Sequence, residues 1–251
     1  MFHFLTFGSK VIANHYETPY PRRFNSPNDV VVHPVHPGRI FFTDPTYGLI
    51  EKERNYDGIY VNEKRDLEFN GVYEIKDYME NKFVNLVDHE LFRPNGITIS
   101  PDGTMLYVSE SCTGNFESSC SQGKIKFHQY TIALNETMDM PQKIGSFTFD
   151  VEGVGASDGF KIHPSTGLIV SSCPSGLCII KPMTFQNHGP QEKVEGGELI
   201  AHVKLGDKPT KVSNVAFGEK YMYITGDGRI WRIKLSKSHM NQNIHRKNTE
   251  L

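Results

Sequence analysis

The chain has 251 residues, 37% of them hydrophobic and 22% charged, with a net charge of −2 at pH 7. That length suits one repeat domain with a sizeable core, and the near-neutral charge leaves no electrostatic case for nucleic acid or an anionic membrane. No apolar run approaches the ~18 residues of a membrane-spanning helix, and the start, Met1 to Gly8, lacks the basic segment and long apolar core of a signal peptide.

Residues 2–13 alternate apolar and polar side chains and predict a strand. Asn28-Asp29-Val30-Val31-Val32-His33-Pro34 then runs into Gly38-Arg39-Ile40-Phe41-Phe42-Thr43-Asp44, a hairpin opened by a polar residue. Pro45 to Leu49 is rich in turn formers, and residues 51–70 are charged and irregular, an exposed insertion. Gly71–Ile75 and Phe83–Val87 predict two further strands. The pattern restarts at Phe92-Arg93-Pro94-Asn95-Gly96-Ile97-Thr98-Ile99, turns at Pro101-Asp102-Gly103, and returns through Leu106-Tyr107-Val108. Outer strands follow near 124–132 and 143–149. A third unit opens at Asp158-Gly159-Phe160-Lys161-Ile162, returns through Leu168 to Ser172, and adds strands near 178–181 and 199–205. A fourth opens at Asn214-Val215-Ala216-Phe217 and closes with Arg229-Ile230-Trp231-Arg232-Ile233. The polar, basic residues 236–251 form a tail, read as disordered.

The opening residues Asn28, Asn95, Asp158 and Asn214 are 67, 63 and 56 positions apart. Such self-similarity predicts an all-β propeller of four-stranded blades over residues 1–235, with about four blades visible and the fourth partial. The innermost strand of each blade lines the central channel. The four opening residues therefore converge at one mouth, with Asp44 and Glu110 near them at the ends of second strands. Carboxamides and a carboxylate are hard oxygen ligands suited to Ca²⁺, or to Mg²⁺ or Mn²⁺ with added waters. Asn and Asp also bond their own backbone at turns, which is the competing reading for each residue taken alone.

Ser26-Pro27-Asn28-Asp29, Phe42-Thr43-Asp44-Pro45-Thr46-Tyr47-Gly48, Arg93-Pro94-Asn95-Gly96, Ser157-Asp158-Gly159 and Asn214-Val215-Ala216-Phe217-Gly218, in this order, resemble the gluconolactonase/regucalcin (SMP-30) family. The likeness spans about residues 8–235. It implies a six-bladed propeller that hydrolyses a sugar or small lactone with a bound divalent metal, most often Ca²⁺, with Mg²⁺, Mn²⁺ or Zn²⁺ as alternatives. It assigns Asn95 and Asp158 as metal ligands, places Asn28 beside the metal and the substrate, and makes Asp158 the catalytic group that activates water. Asp44 and Tyr47 are candidates for the substrate-binding wall. The family's first-blade Glu-Gly-Pro motif has no counterpart here. The chain thus resembles a member lacking its first blades, and the alternative is a truncated or degenerate propeller acting as a binding module.

His33 with His36 reads as a turn on the opposite face rather than a zinc site, since the four-ligand spacing is absent. Trp231 reads as blade packing, and Gly153-Val154-Gly155 as a loop. Cys112 and Cys120, and Cys173 and Cys178, are spaced to permit local disulfides; free thiols in a reducing compartment are the alternative. Asn135-Glu136-Thr137 is a glycosylation acceptor in a secreted protein. Together these favour a secreted over a cytoplasmic location. The expected partner is a small lactone, with neither nucleic acid nor membrane.

Overall fold

The computed structural model describes residues 11–17, 20–49, 65–76, 83–110, 124–134, 139–151, 157–174, 176–183, 197–206 and 210–235. They form seventeen strands and a single 3-10 turn, Tyr47–Leu49. A short hairpin, β1 (His15–Glu17) and β2 (Pro21–Arg23), comes first. Blade 1 is β3 (Val30–Val32), β4 (Ile40–Asp44), β5 (Gly71–Lys76) and β6 (Phe83–Asp88). Blade 2 is β7 (Pro94–Ile99), β8 (Met105–Glu110), β9 (Lys124–Thr131) and β10 (Gln142–Asp150). Blade 3 is β11 (Phe160–Ile162), β12 (Ile169–Cys173), β13 (Gly176–Lys181) and β14 (Glu198–Lys204). Blade 4 is β15 (Val212–Phe217), β16 (Tyr221–Gly226) and β17 (Arg229–Lys234). Every pairing within a blade is antiparallel and joins strands consecutive in sequence, the meander a propeller requires.

The expected strand over residues 2–13 is absent where it can be seen: residues 11–13 are not in a strand, and the first strand begins at His15. Residues 2–10, the insertion at 51–64, the loop with Cys112 and Cys120, Asn135 to Thr137, Gly153 to Gly155, and the tail 236–251 lie outside the described residues.

Alternation along each strand sends one set of side chains to each neighbouring blade. Val31, Phe41 and Val72 of blade 1 share a core with Ile97, Ile99, Leu106, Val108 and Tyr130 of blade 2. Tyr107, Ile125, Phe127 and Phe147 face Phe160, Ile162, Ile169 and Ile180 of blade 3, with the Phe127 and Phe160 rings 4.8 Å apart edge to face. Val170 and Leu177 meet Val212, Val215, Met222 and Ile224 of blade 4. Trp231 and Ile233 pack against this last core while Ile230 is 76% exposed, so Trp231 is a packing residue. Each fully buried large apolar side chain stabilises the stack by roughly 1.5–3 kcal/mol.

Polar latches add direction to these contacts. Arg39 and Glu74 form a fully buried ion pair at 2.6 Å, and the same guanidinium donates to the carbonyls of Ala133 and Asp139 in blade 2. Tyr130 and Lys143 of blade 2 both donate to Asp88 of blade 1, at 2.6 and 2.8 Å. At the face opposite the opening residues, His33 Nε2–H donates to the Gly103 carbonyl at 2.9 Å, and His33 Nδ1 accepts from the amides of Val35 and His36. Gly103 must be glycine: its φ is +79°, and a Cβ would stand 2.6 Å from the His33 ring. Cys173 and Cys178 are disulfide-bonded across the β12–β13 turn, with Cα atoms 5.8 Å apart.

Candidate active site

The opening residues of the first three blades meet at one mouth of the channel. Asn28 leads into β3, its amide donating to the Thr43 carbonyl at 2.9 Å. Its side-chain Nδ2 donates to Asn95 Oδ1 at 2.5 Å. Asn95 lies buried in β7, where the pairing register slips between Pro94 and Ile97. Such a bulge re-aims a side chain; here the Asn95 carboxamide turns to hydrogen-bond both Asn28 and the Asp158 carboxylate. The result is a continuous line, Asn28–Asn95–Asp158, contributed by three blades.

The backbone is packed tightly around this line. A Cβ on Gly96 would lie 2.3 Å from the Asp158 carbonyl oxygen, so only glycine lets β7 approach blade 3 this closely. The Asn214 carboxamide lies against Gly159, and its Oδ1 accepts from the Val215 amide at 2.8 Å. Asn214, the third residue of β15, thus spends this oxygen on its own strand beside the line. Small hydroxyls at the ends of second strands tie two of the opening residues to the preceding blade. Thr43 Oγ1 donates to the Asn95 carbonyl at 2.7 Å, and Ser109 Oγ donates to the Asp158 carbonyl at 3.2 Å. Within blade 3, Ser172 Oγ accepts from the Asp158 amide at 2.7 Å.

The carboxylates that follow two of these hydroxyls serve the loops that present the asparagines. Asp44 is fully buried and accepts from the amides of Asn25 and Ser26, at 2.8 and 2.7 Å. Glu110 accepts from the Phe92 amide at 2.6 Å, and its other oxygen takes His128 Nε2–H at 2.9 Å with Lys126 at 3.2 Å. Asn25 and Phe92 stand in the same place, three residues before Asn28 and Asn95. Asp44 thus sits behind the site as a clamp. Burial pushes its carboxyl up to about 6 against the pull of the two amides. Glu110 behaves oppositely: burial would raise it, but the His128 hydrogen bond, Lys126 and the Phe92 amide hold it down at about 2. His128 itself is shifted down by burial. Tyr47 lies in the 3-10 turn with its ring 5.9 Å from the Arg93 guanidinium, against the loop that carries Asn95.

Asp158 is half-buried, and its carboxyl is pushed up to about 6. Burial is the main cause, the negative charge of Asp29 adds to it, and the Asn95 hydrogen bond opposes it. Asp29 Oδ1 caps Val30 and Oδ2 accepts from the Ile97 amide of blade 2 at 3.1 Å; Lys161 of blade 3 comes within 3.9 Å of the same oxygen. Sequence reasoning singled out neither Asp29 nor Lys161. The available signal was their place, one residue after an opening Asn and three after the opening Asp.

Among the described residues no three His, Cys, Asp or Glu side chains cluster as a ready cation cage. The donor set at the mouth is one carboxylate with carboxamide oxygens, hard ligands that fit a Ca²⁺ or Mg²⁺ ion and not a soft one.

Residues 2–227 match the SMP-30/Gluconolactonase/LRE-like region. A gluconolactonase of Zymomonas mobilis is 27% identical over 218 residues, which cover 85% of this chain and 51% of that protein. This chain thus spans about half the length of that curated relative. Among solved structures, one named a gluconolactonase by protein family superposes with a TM-score of 0.55 at 23% identity, covering 89% of this chain and 62% of its own. An auxiliary nutrient binding protein from Bacteroides thetaiotaomicron reaches 0.50 at 10% identity, covering 89% and 42%. These two likenesses speak to the fold alone. The all-β stack of blades, the Asn28–Asn95–Asp158 line at its mouth and the match over residues 2–227 place this chain in the SMP-30/gluconolactonase/LRE-like family.

Proposed function

We propose that this chain carries the site of a metal-dependent lactone hydrolase, opening a sugar or small lactone to its hydroxy acid. The observation that supports it is the line of Asn28, Asn95 and Asp158, three hard-oxygen side chains from three blades converging on one mouth. Asn95, Asp158 and Asn28 would hold the ion, with Ca²⁺ the best fit to the donor chemistry. A divalent cation held there supplies Lewis-acid polarisation of the lactone carbonyl.

The protein's own groups then do the following. Asp158, whose carboxyl burial raises to about 6 before any cation is bound, is ionised at neutral pH and would accept a proton from water. The water oxygen adds to the carbonyl carbon, the ring C–O bond breaks, and the released alkoxide takes up the proton. Asn28, exposed at the mouth, orients the lactone through its carboxamide. Asp44 and Tyr47 border the site from behind and hold the loops that carry Asn28 and Asn95.

A non-catalytic binding module is the second reading, favoured by the single carboxylate in the hydrogen-bonded line. The test is lactone ring opening, followed by proton release, with Ca²⁺ and with chelator. Chelator-sensitive turnover lost in Asp158→Asn supports hydrolysis; lactone binding without turnover moves the assignment to the binding module. The Cys173–Cys178 disulfide supports a location in an oxidising compartment, hence secretion.

A further inference from the structure

Beneath the Asn28–Asn95–Asp158 line lies an ion pair between two blades that are not neighbours. Lys161 in β11 of blade 3 places its ammonium 3.9 Å from Asp29 Oδ2 at the entry to β3 of blade 1. The same oxygen accepts from the Ile97 amide of blade 2. Asp29 is thus the point where three inner strands meet, and Lys161 is the cation that reaches it. Both side chains are largely withdrawn from solvent, 29% and 17% exposed, so their charges are screened less than a surface pair's.

Position ties the pair to the site. Asp29 follows Asn28, Ile97 lies two residues after Asn95, and Lys161 three after Asp158. Gly96, between Asn95 and Ile97, is in close contact with the Asp158 carbonyl, so these segments are packed without slack. Asp29 is near enough for its charge to act on Asp158.

We infer that Lys161 is a positioning residue that neutralises Asp29 and so sets the net charge facing a cation at the channel mouth. This rests on the metal-site reading given above. With Asp158 and Asp29 negative and Lys161 positive, the site presents a net charge of −1. Removing Lys161 leaves −2, removing the Asp29 charge leaves 0, and removing both restores −1. Cation affinity rises with the charge of the site, so the four states have a required order.

The experiment is calorimetric titration of Ca²⁺ alone into the full chain and into Lys161→Met, Lys161→Arg, Asp29→Asn and the Lys161→Met/Asp29→Asn pair, each checked for native circular dichroism. Lys161→Met should bind about three- to tenfold tighter and Asp29→Asn about three- to tenfold weaker, with the double variant returning to within about twofold of the parent. Lys161→Arg should match the parent. A merely structural role would weaken binding in every variant and would not be reversed in the double one. Parent binding unchanged by all four substitutions overturns the role of Lys161 and leaves the metal site standing. No Ca²⁺ binding by any protein overturns both. Binding by Lys161→Met where the parent shows none supports the inference, since it shows the ammonium to be what holds the cation off.

Discussion

Asn28 Nδ2 donates to Asn95 Oδ1 across 67 residues of sequence, at 2.5 Å. That contact exists because each asparagine opens the inner strand of its own blade, and Asn95 passes the link on to Asp158. Asn95 is the hub, so Asn95→Ala removes a partner from both ends. We predict a loss of about 1–3 kcal/mol in stability, the worth of one amide hydrogen bond and one to a carboxylate at a part-buried site. Stabilisation by Ca²⁺ in a thermal melt should vanish with it. Retained stabilisation would take Asn95 out of the cation site.

Gly96→Ala tests how closely the blades must approach. The new Cβ would stand 2.3 Å from the Asp158 backbone oxygen and 2.8 Å from the Phe160 ring, and backbone yields less readily than a side-chain tip. Overpacking of this kind costs about 1–3 kcal/mol. Denaturant unfolding should show it as a lower midpoint, and Ca²⁺ affinity should fall because Asp158 is pushed off the line. A midpoint equal to the parent's would mean that the two blades can separate at no cost.

Acid should loosen the loop that presents Asn95. In the folded chain Glu110 sits at about 2, below its ordinary value of 4.5. The folded state thus binds this proton less readily than the unfolded state. Glu110 therefore contributes stability that is full above about pH 4.5 and lost as pH falls through about 2. Glu110→Gln keeps an acceptor for the Phe92 amide but loses the charge facing Lys126. Its stability should depend less on pH across that window than the parent's. Equal slopes for the two proteins would show that Glu110 is not the group being titrated.

Much of the architecture was legible because a repeat writes the same sentence several times. Asn28, Asn95, Asp158 and Asn214 mark four blades, and the alternation around Ile97, Ile99, Leu106 and Val108 gives the faces that pack. Convergence of Asn28, Asn95 and Asp158 followed from propeller geometry. The behaviour of Asn214 did not: its oxygen is taken by Val215 within the same strand, and whether it bonds its own strand or reaches inward depends on local backbone. Asp44 was legible as a residue near the mouth, but not as a buried clamp on Asn25 and Ser26, because the path of the preceding loop is not periodic. Thr43 and Ser109 carried a usable signal, a small hydroxyl just before an acidic residue in two blades. The β1–β2 hairpin at His15–Arg23 was missed, since its strands are three residues each and too short for a period to show. The Lys161–Asp29 pair spans 132 residues and two blade boundaries, and no local pattern encodes it.

The Arg39–Glu74 pair separates charge burial from charge pairing. Both side chains are fully buried, and Arg39 also holds two carbonyls of blade 2. Glu74→Ala leaves a buried guanidinium without its carboxylate, which should cost about 3–5 kcal/mol. Arg39→Met with Glu74→Leu should recover much of that loss, because an apolar pair of similar volume avoids the desolvation of two ions. Urea unfolding of the parent and these two variants measures it. A double variant as unstable as Glu74→Ala would instead locate the stabilisation in the Arg39 bonds to Ala133 and Asp139.

Asp158 sets the pH dependence expected of the site. Its carboxyl is at about 6 in the folded chain, above the ordinary 3.8. A raised acid has the opposite sign to Glu110: the folded state takes up the proton more readily than the unfolded state. Without a cation, Asp158 lowers stability above about pH 6, and that loss is relieved as pH falls from 6 toward 3.8. A cation inverts this, since it binds the carboxylate and must compete with the proton. Ca²⁺ affinity and any lactone turnover should therefore rise with pH through about 6 and level off above it. Asp158→Asn should abolish turnover and remove the pH dependence of Ca²⁺ binding, while raising the melting temperature of the metal-free chain near pH 7.5. The three readings come from calorimetry, proton release and thermal unfolding of the same two proteins. Turnover retained in Asp158→Asn would exclude this residue as the proton acceptor. A variant that melts lower than the parent at pH 7.5 would show that the Asn95 hydrogen bond to the carboxylate outweighs the burial of its charge.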